Sequence, residues 1–320
     1  MIKNQFVILH FFVFFFLFLT SFNSYGDSHI KSFITPIKPL KKLTTLQHNK
    51  VILGKVLFED KALSKNKKMS CSSCHMSSKG YADGKRFSKD NAGVNKIYNT
   101  PSIEYSVYNY YFTWTGAFNS LYEHLDFLMK NSTLMNRNWD ELTQQLTNTP
   151  IYKDLFTKAG YDVINRLSIS DAIINFEKSL AKPSRFDLYL LGDNSQLTND
   201  EVSGFELFKN SGCISCHQGI NIGGNIRQKF GVMKSYFRTD TTKRRDLGFF
   251  NVSNKDEHKN YFRVPSLRNV GNTAPYFHDG SAATLEDAIS IMYSYQLGIK
   301  ASKDDILSIK SFLESLEPIQ

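Results

Sequence analysis

The sequence predicts an all-α protein of two small domains whose helices are joined by long loops. Its 320 residues exceed the length of one typical domain. Alternation of apolar and polar residues, the pattern of a half-buried strand, is nearly absent, whereas apolar residues recur at helical spacing in several segments. A unit made of a helix, a Cys-x-x-Cys-His sequence and a glycine-bearing loop occurs twice, at Cys71 and at Cys213. This repetition favours one such unit in each domain.

In the N-terminal half, apolar spacing predicts four helical segments, at residues 51–63, 120–129, 139–146 and 171–180. Between the first two, the Gly-, Ser-, Lys- and Asn-rich stretch at residues 77–101 is expected to be a long loop. Pro183 and Gly192 interrupt the helical pattern, and residues 182–197 are therefore expected to link the two domains.

In the C-terminal half, three helices are predicted from N-capping residues that are each followed three residues later by an acidic residue. The capping residues are Thr198, Thr284 and Ser302. The second of these helices is expected to contain Met292, and the third to bury Ile309 and Phe312. Residues 219–262 read mostly as loop.

The N-terminus has the three zones of a secretory signal. Lys3 precedes an apolar stretch at residues 6–19, and small residues at 24–26 offer a cleavage site after Gly26. The apolar stretch is shorter than the roughly 20 residues of a membrane span, although an uncleaved N-terminal anchor is the alternative. The expected organisation is a signal peptide at 1–26, an N-terminal domain at 27–185 and a C-terminal domain at 195–320, exported to the periplasm.

The net charge of +9 and the pI of about 9.2 do not indicate nucleic-acid binding, because the lysines and arginines are dispersed and an export signal precedes them. The charge is typical of a solvated basic surface or of a surface that attracts an acidic redox partner.

All four cysteines belong to the two Cys-x-x-Cys-His units, so none is left for a disulfide. Two thiols at this spacing can each add to one vinyl group of a haem, and the histidine that follows then lies below the iron. The sequence therefore predicts two covalent haems c, one at Cys71, Cys74 and His75 and the other at Cys213, Cys216 and His217. A four-cysteine zinc site or a redox dithiol are the alternatives, but zinc pairs usually lie closer in sequence and a dithiol usually accompanies a βαβ pattern.

The sixth ligand of each iron decides between electron transfer and reaction with a small oxidant. Met292 follows a compact segment at residues 275–280, but on spacing alone such a methionine is more often a core residue. The remaining histidines of the exported chain are His29, His48, His124, His258 and His278.

Across nearly all of its exported length, the chain resembles the bacterial di-haem cytochrome c peroxidases and their MauG-type relatives. The matching stretches are Leu-Gly-Lys-Val-Leu-Phe at 53–58, Asn-Thr-Pro-Ser at 99–102, Phe-Thr-Trp-Thr-Gly at 112–116, Phe-Glu-Lys-Ser-Leu at 176–180, Val-Pro-Ser-Leu-Arg-Asn-Val at 264–270 and Pro-Tyr-Phe-His-Asp-Gly at 275–280, together with both cysteine units. The last two stretches and the spacing of the haem sites are the most specific.

The resemblance implies two cytochrome c-type domains and a role for each site. His217 and Met292 would ligate the C-terminal haem, through which electrons enter, and His75 would ligate the N-terminal, peroxide-reacting haem. Trp114 matches a tryptophan between the haems. Asn99, Thr273 and Pro275 match positions that hold a calcium ion through oxygen atoms. Hydrogen peroxide and two reduced carriers, small c-type cytochromes or similar donors, would give water and two oxidised carriers. A homodimer is an analogy with the family.

Two departures from the family pattern affect the peroxide-reacting site. Leu134 and His124 occupy the positions of a usual distal glutamate and glutamine, and a leucine cannot transfer the proton that peroxide cleavage needs. Either the local alignment slips, or His124 takes the acid–base role, or peroxidase turnover is lost; His124 as an ordinary structural histidine also remains open. The loop at residues 76–98 contains no histidine, so the N-terminal iron is expected to lack the sixth ligand that this loop often supplies.

Three functions follow from these observations. The leading one is a periplasmic peroxidase. A MauG-like enzyme that oxidises another protein is the second, against which Met292 counts because the MauG type has a tyrosine ligand there. A di-haem electron carrier or sensor is the third, and Leu134 favours it.

Overall fold

The computed structural model describes residues 36–41, 46–237 and 246–319, and within these ranges the protein is mostly helical. The N-terminal half contains α1 (His48–Glu59), α2 (Leu121–Lys130), α3 (Trp139–Thr147), α4 (Pro150–Lys158) and α5 (Arg166–Leu180). The C-terminal half contains α6 (Arg185–Leu190), α7 (Asn199–Asn210), α8 (Phe250–Ser253), α9 (Leu285–Ile291) and α10 (Lys303–Glu314). A π-helix at Met292–Leu297 continues α9 directly. The predicted signal peptide at 1–26 lies outside the described residues.

The sheet content of the described ranges is one antiparallel pair, β1 (Arg227–Lys229) and β2 (Tyr261–Arg263), in which Arg227 lies opposite Arg263. The all-α prediction is therefore confirmed. None of the helices described is long and apolar enough to cross a membrane.

Two large hydrophobic cores, and a small cluster of Leu40, Tyr105 and Ala181, lie within one compact unit that begins at Ile37. The first core draws its buried residues from positions 53–180, and the second from Ile37 and positions 186–316. The two cores support the expected division of the chain into two halves, while the boundaries 27–185 and 195–320 stay a prediction.

Each core is built around two helices that cross at a glycine. A β-carbon at Gly54 of α1 would lie 1.9 Å from the carbonyl oxygen of Ala172 in α5, and one at Gly204 of α7 would lie 1.9 Å from that of Ser308 in α10. Only glycine allows such contact between backbones. In both halves the glycine-bearing helix precedes the Cys-x-x-Cys-His unit, which follows α7 after two residues and α1 after a longer segment that contains a 3₁₀ turn at Lys61–Leu63.

The predicted C-terminal helices and their caps are confirmed. The side chains of Thr198 and Ser302 accept hydrogen bonds from the backbone of the acidic residue three positions later and form complete capping boxes, and Thr284 accepts one from Asp287. One detail differs, because Met292 begins the π-helix rather than lying within α9.

The prediction of a linker at 182–197 is wrong for its first part, which forms α6. Ser184 and Asp187 cap this helix, and Phe186 inserts between Phe205 and Phe312 with ring centroids 4.8 and 5.1 Å away. Asp187 is fully buried and pairs with both terminal nitrogens of Arg268 at 2.7 and 2.8 Å. The segment is therefore part of the second core.

Helix α4, which was not predicted, buries Tyr152 and Phe156 in the first core.

Candidate functional site

The C-terminal cysteine unit follows α7 as a single 3₁₀ turn, Cys213–Ser215, with Cys216 and His217 directly after it. Gly212 precedes the turn at a φ of 92°, which allows the chain to leave the helix. Burial raises the pKa of the Cys213 thiol to about 11 and lowers the pKa of His217 to about 4. At neutral pH the unit therefore presents protonated thiols and a neutral imidazole, whose buried Nδ1 atom completes no hydrogen bond with the described residues.

A largely apolar cavity opens beside this unit. His217 and Met292 both line it, so the two residues assigned to the C-terminal iron lie in the walls of one cavity. Met292 is only half-buried and does not belong to the second hydrophobic core, which favours a cavity role over the core role. π-Helical turns occur frequently at functional sites, and this one begins at Met292.

The N-terminal cysteine unit has the same local form, a 3₁₀ turn at Cys71–Ser73 capped by Ser70. Nδ1 of His75 lies 3.0 Å from the carbonyl oxygen of Tyr81. Because a carbonyl only accepts hydrogen bonds, the proton lies on Nδ1 and the lone pair on Nε2 is free to bind a metal. Burial raises the pKa of Cys71 to about 12, and the nearby Glu177 carboxylate adds to the effect.

The loop at 76–98 folds back on itself, with the backbone of Met76 bonded to that of Ala82. Asp83 of this loop and His124 of α2 both lie close enough to His75 to interact with it electrostatically. The His124 ring packs between Phe112 and Phe118, with centroid distances of 5.7 and 5.6 Å. Burial is the main cause that lowers its pKa to about 4, and the positive charge on Arg263 lowers it further. His124 is consequently a neutral base near the N-terminal unit.

Leu134 lies in the turn after α2, where its carbonyl oxygen accepts a hydrogen bond from the Asn91 side chain. The side chain is half-buried and apolar.

Trp114 is buried and lines the C-terminal cavity, although it belongs to the N-terminal half. Its indole Nε1 donates a 2.8 Å hydrogen bond to the backbone carbonyl of Asn99, and its own carbonyl accepts one from the backbone of Arg263 at 2.8 Å. The indole is therefore fixed from both halves of the chain.

The three residues assigned to calcium also line this cavity. The Asn99 amide nitrogen donates to the Lys85 carbonyl at 2.7 Å, which leaves the amide oxygen available, and the Thr273 hydroxyl donates to the Val270 carbonyl at 3.2 Å. With Pro275, the set offers neutral oxygen atoms and no carboxylate. The described part of the chain contains no cluster of three or more His, Cys, Asp or Glu side chains that could hold a metal ion. The two cysteine pairs therefore do not form one four-cysteine site.

Two buried charged residues near these sites were not singled out from the sequence. Glu177 accepts a hydrogen bond from the Ser106 hydroxyl at 2.8 Å, and its burial raises its pKa to about 7. It lies within the Phe-Glu-Lys-Ser-Leu stretch, which was the available signal. Arg263 lies 5.7 Å from the Trp114 ring centroid, and nothing in its local sequence marks it.

Comparison with known proteins places these features in context. The family model for di-haem cytochrome c peroxidases matches residues 48–195. The cytochrome c551 peroxidase of Nitrosomonas europaea is 38% identical over 283 residues, which cover 88% of this chain and 84% of that protein. The cytochrome c551 peroxidase of Pseudomonas aeruginosa is 36% identical and covers 82% and 77% of the two chains. A crystal structure of a MauG-like protein associated with microbial copper homeostasis superposes with a TM-score of 0.74 at 26% identity, covering 88% of this chain and 93% of that one.

Proposed function

Because the chain belongs to the family of di-haem cytochrome c peroxidases, we propose that it reduces hydrogen peroxide to water with electrons from a small reduced c-type cytochrome. Membership implies two covalently bound haems. The Asn, Thr and Pro oxygen atoms are proposed to hold one calcium ion, the predicted export places the enzyme in the periplasm, and a homodimer is the proposed assembly.

The residues present fit haem attachment at both cysteine units. Each unit pairs unbridged thiols with an imidazole that burial keeps neutral. Burial also disfavours the thiolates that a zinc site or a redox dithiol would use. The single observation that carries the proposal is the joint lining of one cavity by Cys213, Cys216, His217 and Met292.

When bound, the two haems supply electron transfer at the C-terminal site and peroxide reduction at the N-terminal site. His75 would bind iron through Nε2, since its Nδ1 proton is held by the Tyr81 carbonyl. His217 and Met292 would bind the other iron, and thioether ligation raises the reduction potential of a site where electrons enter. Trp114 lies at the boundary of the two halves, where it shortens the path between them.

His124 would move the proton that peroxide reduction requires. A neutral imidazole can take a proton from one peroxide oxygen and return it to the other, and its pKa of about 4 keeps it neutral at physiological pH. This role compensates for Leu134. The aromatic rings of Phe112 and Phe118 would hold the imidazole in place.

The electron donor is proposed to dock at the surface next to Gln296 and Leu297, which line the C-terminal cavity. Met233 is 64% exposed and Ile299 50% exposed, and Met233 packs against Gly298, the residue before Ile299. Lys234 and Lys300 are exposed beside them, and no aspartate or glutamate occurs at positions 207–239 or 288–303. This charge pattern fits a small cytochrome with an acidic docking face.

The test mixes the reduced protein with peroxide and reduced small cytochromes of acidic and basic surface, then follows donor oxidation. Peroxide-dependent turnover with the acidic donor supports the proposal, and turnover near the uncatalysed rate with every donor removes it. The second candidate, an electron carrier or sensor, is favoured by Leu134 and predicts rapid electron uptake without turnover. A MauG-like oxidation of another protein is the third alternative, and the methionine at position 292 counts against it.

A further inference from the structure

The two-stranded sheet brings two arginines side by side. Arg227 of β1 lies directly opposite Arg263 of β2. Like charges at opposite positions of an antiparallel pair destabilise a sheet unless each charge is compensated. Arg227 is compensated within the protein, because its guanidinium lies 3.7 Å from the Tyr111 ring centroid and 3.9 Å from that of Phe249 and donates to the Gly116 carbonyl.

Arg263 has only weaker contacts of these kinds and no anionic partner in the described chain. It is 4% exposed, and its Nε donates to the Thr113 carbonyl at 3.0 Å. None of the described carboxylates lies within ion-pair distance of its guanidinium. A buried guanidinium without an anion is costly, so native proteins supply one. The Trp114 ring at 5.7 Å offers only a weak substitute.

Arg263 lines the same cavity as His217 and Met292. Among the other basic side chains of this wall, Arg268 is bound to Asp187, the ring of His278 lies 3.0 Å from Asp246, and Lys229 is exposed. No aspartate or glutamate of the described chain lines the cavity. The cavity thus combines an apolar body with one buried, uncompensated positive charge, and a suitable occupant has an apolar body and an anionic group.

We infer that Arg263 is the binding site for a carboxylate of the cofactor in this cavity, namely a propionate of the haem attached to Cys213 and Cys216. The inference rests on the proposed haem attachment but not on peroxide turnover. The guanidinium and the carboxylate neutralise each other as a charge-assisted hydrogen-bonded pair. The pair lies beside Trp114, and removal of its positive member leaves an uncompensated negative charge next to the C-terminal iron.

The test measures the reduction potential of each haem in the mature holoprotein by spectroelectrochemistry, without peroxide or donor. In Arg263→Gln, the amide can still donate to the Thr113 carbonyl but carries no charge. The reduction potential of the C-terminal haem is expected to fall by about 59 mV. For one electron, this fall corresponds to a tenfold decrease in the ratio of reduced to oxidised haem at a fixed potential. The same potential should also become more dependent on pH, because the unpaired propionate now protonates more readily.

Arg227→Gln is the matched control, since it removes the neighbouring positive charge on the same sheet but does not line the cavity. It should leave the C-terminal potential unchanged. Arg263→Lys keeps the charge and should restore most of the potential, and it replaces the glutamine variant if the latter fails to mature. An unchanged C-terminal potential in Arg263→Gln, an equal fall in Arg227→Gln, or a shift confined to the N-terminal haem would each overturn the inference. Failure of peroxide turnover alone would leave it intact.

Discussion

Replacement of His124 should remove the proton transfer of the peroxide reaction. The ring is packed between two phenylalanines near His75, and its neutral imidazole is the base to which we assign this proton transfer. A positioned acid–base group contributes about 10²- to 10⁴-fold to a rate. His124→Ala is therefore expected to slow the reaction of the reduced protein with peroxide by at least about 100-fold. His258→Ala, at a histidine bonded to Ser253, is the control.

The pH dependence of the same reaction gives an independent check. Burial and the positive charge on Arg263 lower the pKa of His124 from 6.5 to about 4, so protonating it in the folded protein costs about 3 kcal/mol more than in water. Because the neutral ring is the active form, the rate should stay level from pH 8 down to about pH 5 and fall only as the pH approaches 4. Stopped-flow absorbance at the Soret band measures this rate. A midpoint near 6.5, or an alanine variant as fast as the parent protein, would refute the assignment.

The N-terminal haem should be high-spin in the resting protein, since the loop at 76–98 has no histidine, and a six-coordinate low-spin signal from this haem in the EPR spectrum would contradict this. Asp187→Asn should lower the free energy of unfolding by about 3–5 kcal/mol in denaturant titrations, because Arg268 is left buried without a carboxylate. The double variant Asp187→Asn/Arg268→Gln should lose less unfolding free energy than the two single variants lose in sum. Donor oxidation by an acidic cytochrome should weaken as salt increases and fall in Lys234→Glu/Lys300→Glu, whereas Lys153→Glu/Lys158→Glu on α4 should leave it unchanged.

Local sequence signals were sufficient to predict most of the helices and to recognise both Cys-x-x-Cys-His units. The capping boxes that begin at Thr198 and Ser302 depend only on residues three positions apart, which is why they could be predicted. The same signal was present for α6, where Ser184 precedes Asp187, and Pro150 at the first position of α4 was another. Because the glycine and proline near α6 indicated a loop, its N-terminal cap was not recognised. The burial of Phe186 depends on a core that forms only in the folded chain.

The long-range contacts could not be predicted in this way. Arg263 meets Thr113 across 150 positions of sequence, and Arg268 meets Asp187 across 81. No local pattern encodes such contacts, because they depend on how the two halves pack. The family resemblance indicated Met292, Asn99 and Thr273, and the structure brings these residues into one cavity wall, but their roles as ligands stay a prediction.

The surroundings of Trp114 decide how it can serve electron transfer between the two sites. Its indole proton is donated to the Asn99 carbonyl, an amide oxygen that is too weak a base to accept the proton if the ring is oxidised. An oxidised indole would therefore keep its positive charge, with the Arg263 guanidinium 5.7 Å from the ring. Oxidation removes the attraction between the electron-rich ring and the guanidinium, which disfavours that state even when a propionate neutralises Arg263. We therefore expect Trp114 to act as a short-lived relay for electrons between the two sites. We do not expect it to accumulate as an oxidised radical.

We expect no tryptophan radical to accumulate when the reduced protein reacts with peroxide. Freeze-quench EPR measures whether one does. Loss of the nearby positive charge in Arg263→Gln should make such a radical easier to form, whereas Arg227→Gln should not, because Arg227 lies against Tyr111 and Phe249 instead. Trp114→Phe keeps the aromatic volume but removes the hydrogen bond to Asn99, and it should slow electron transfer between the haems without altering either haem spectrum. A long-lived tryptophan radical in the parent protein would show that the Arg263 charge does not govern this residue.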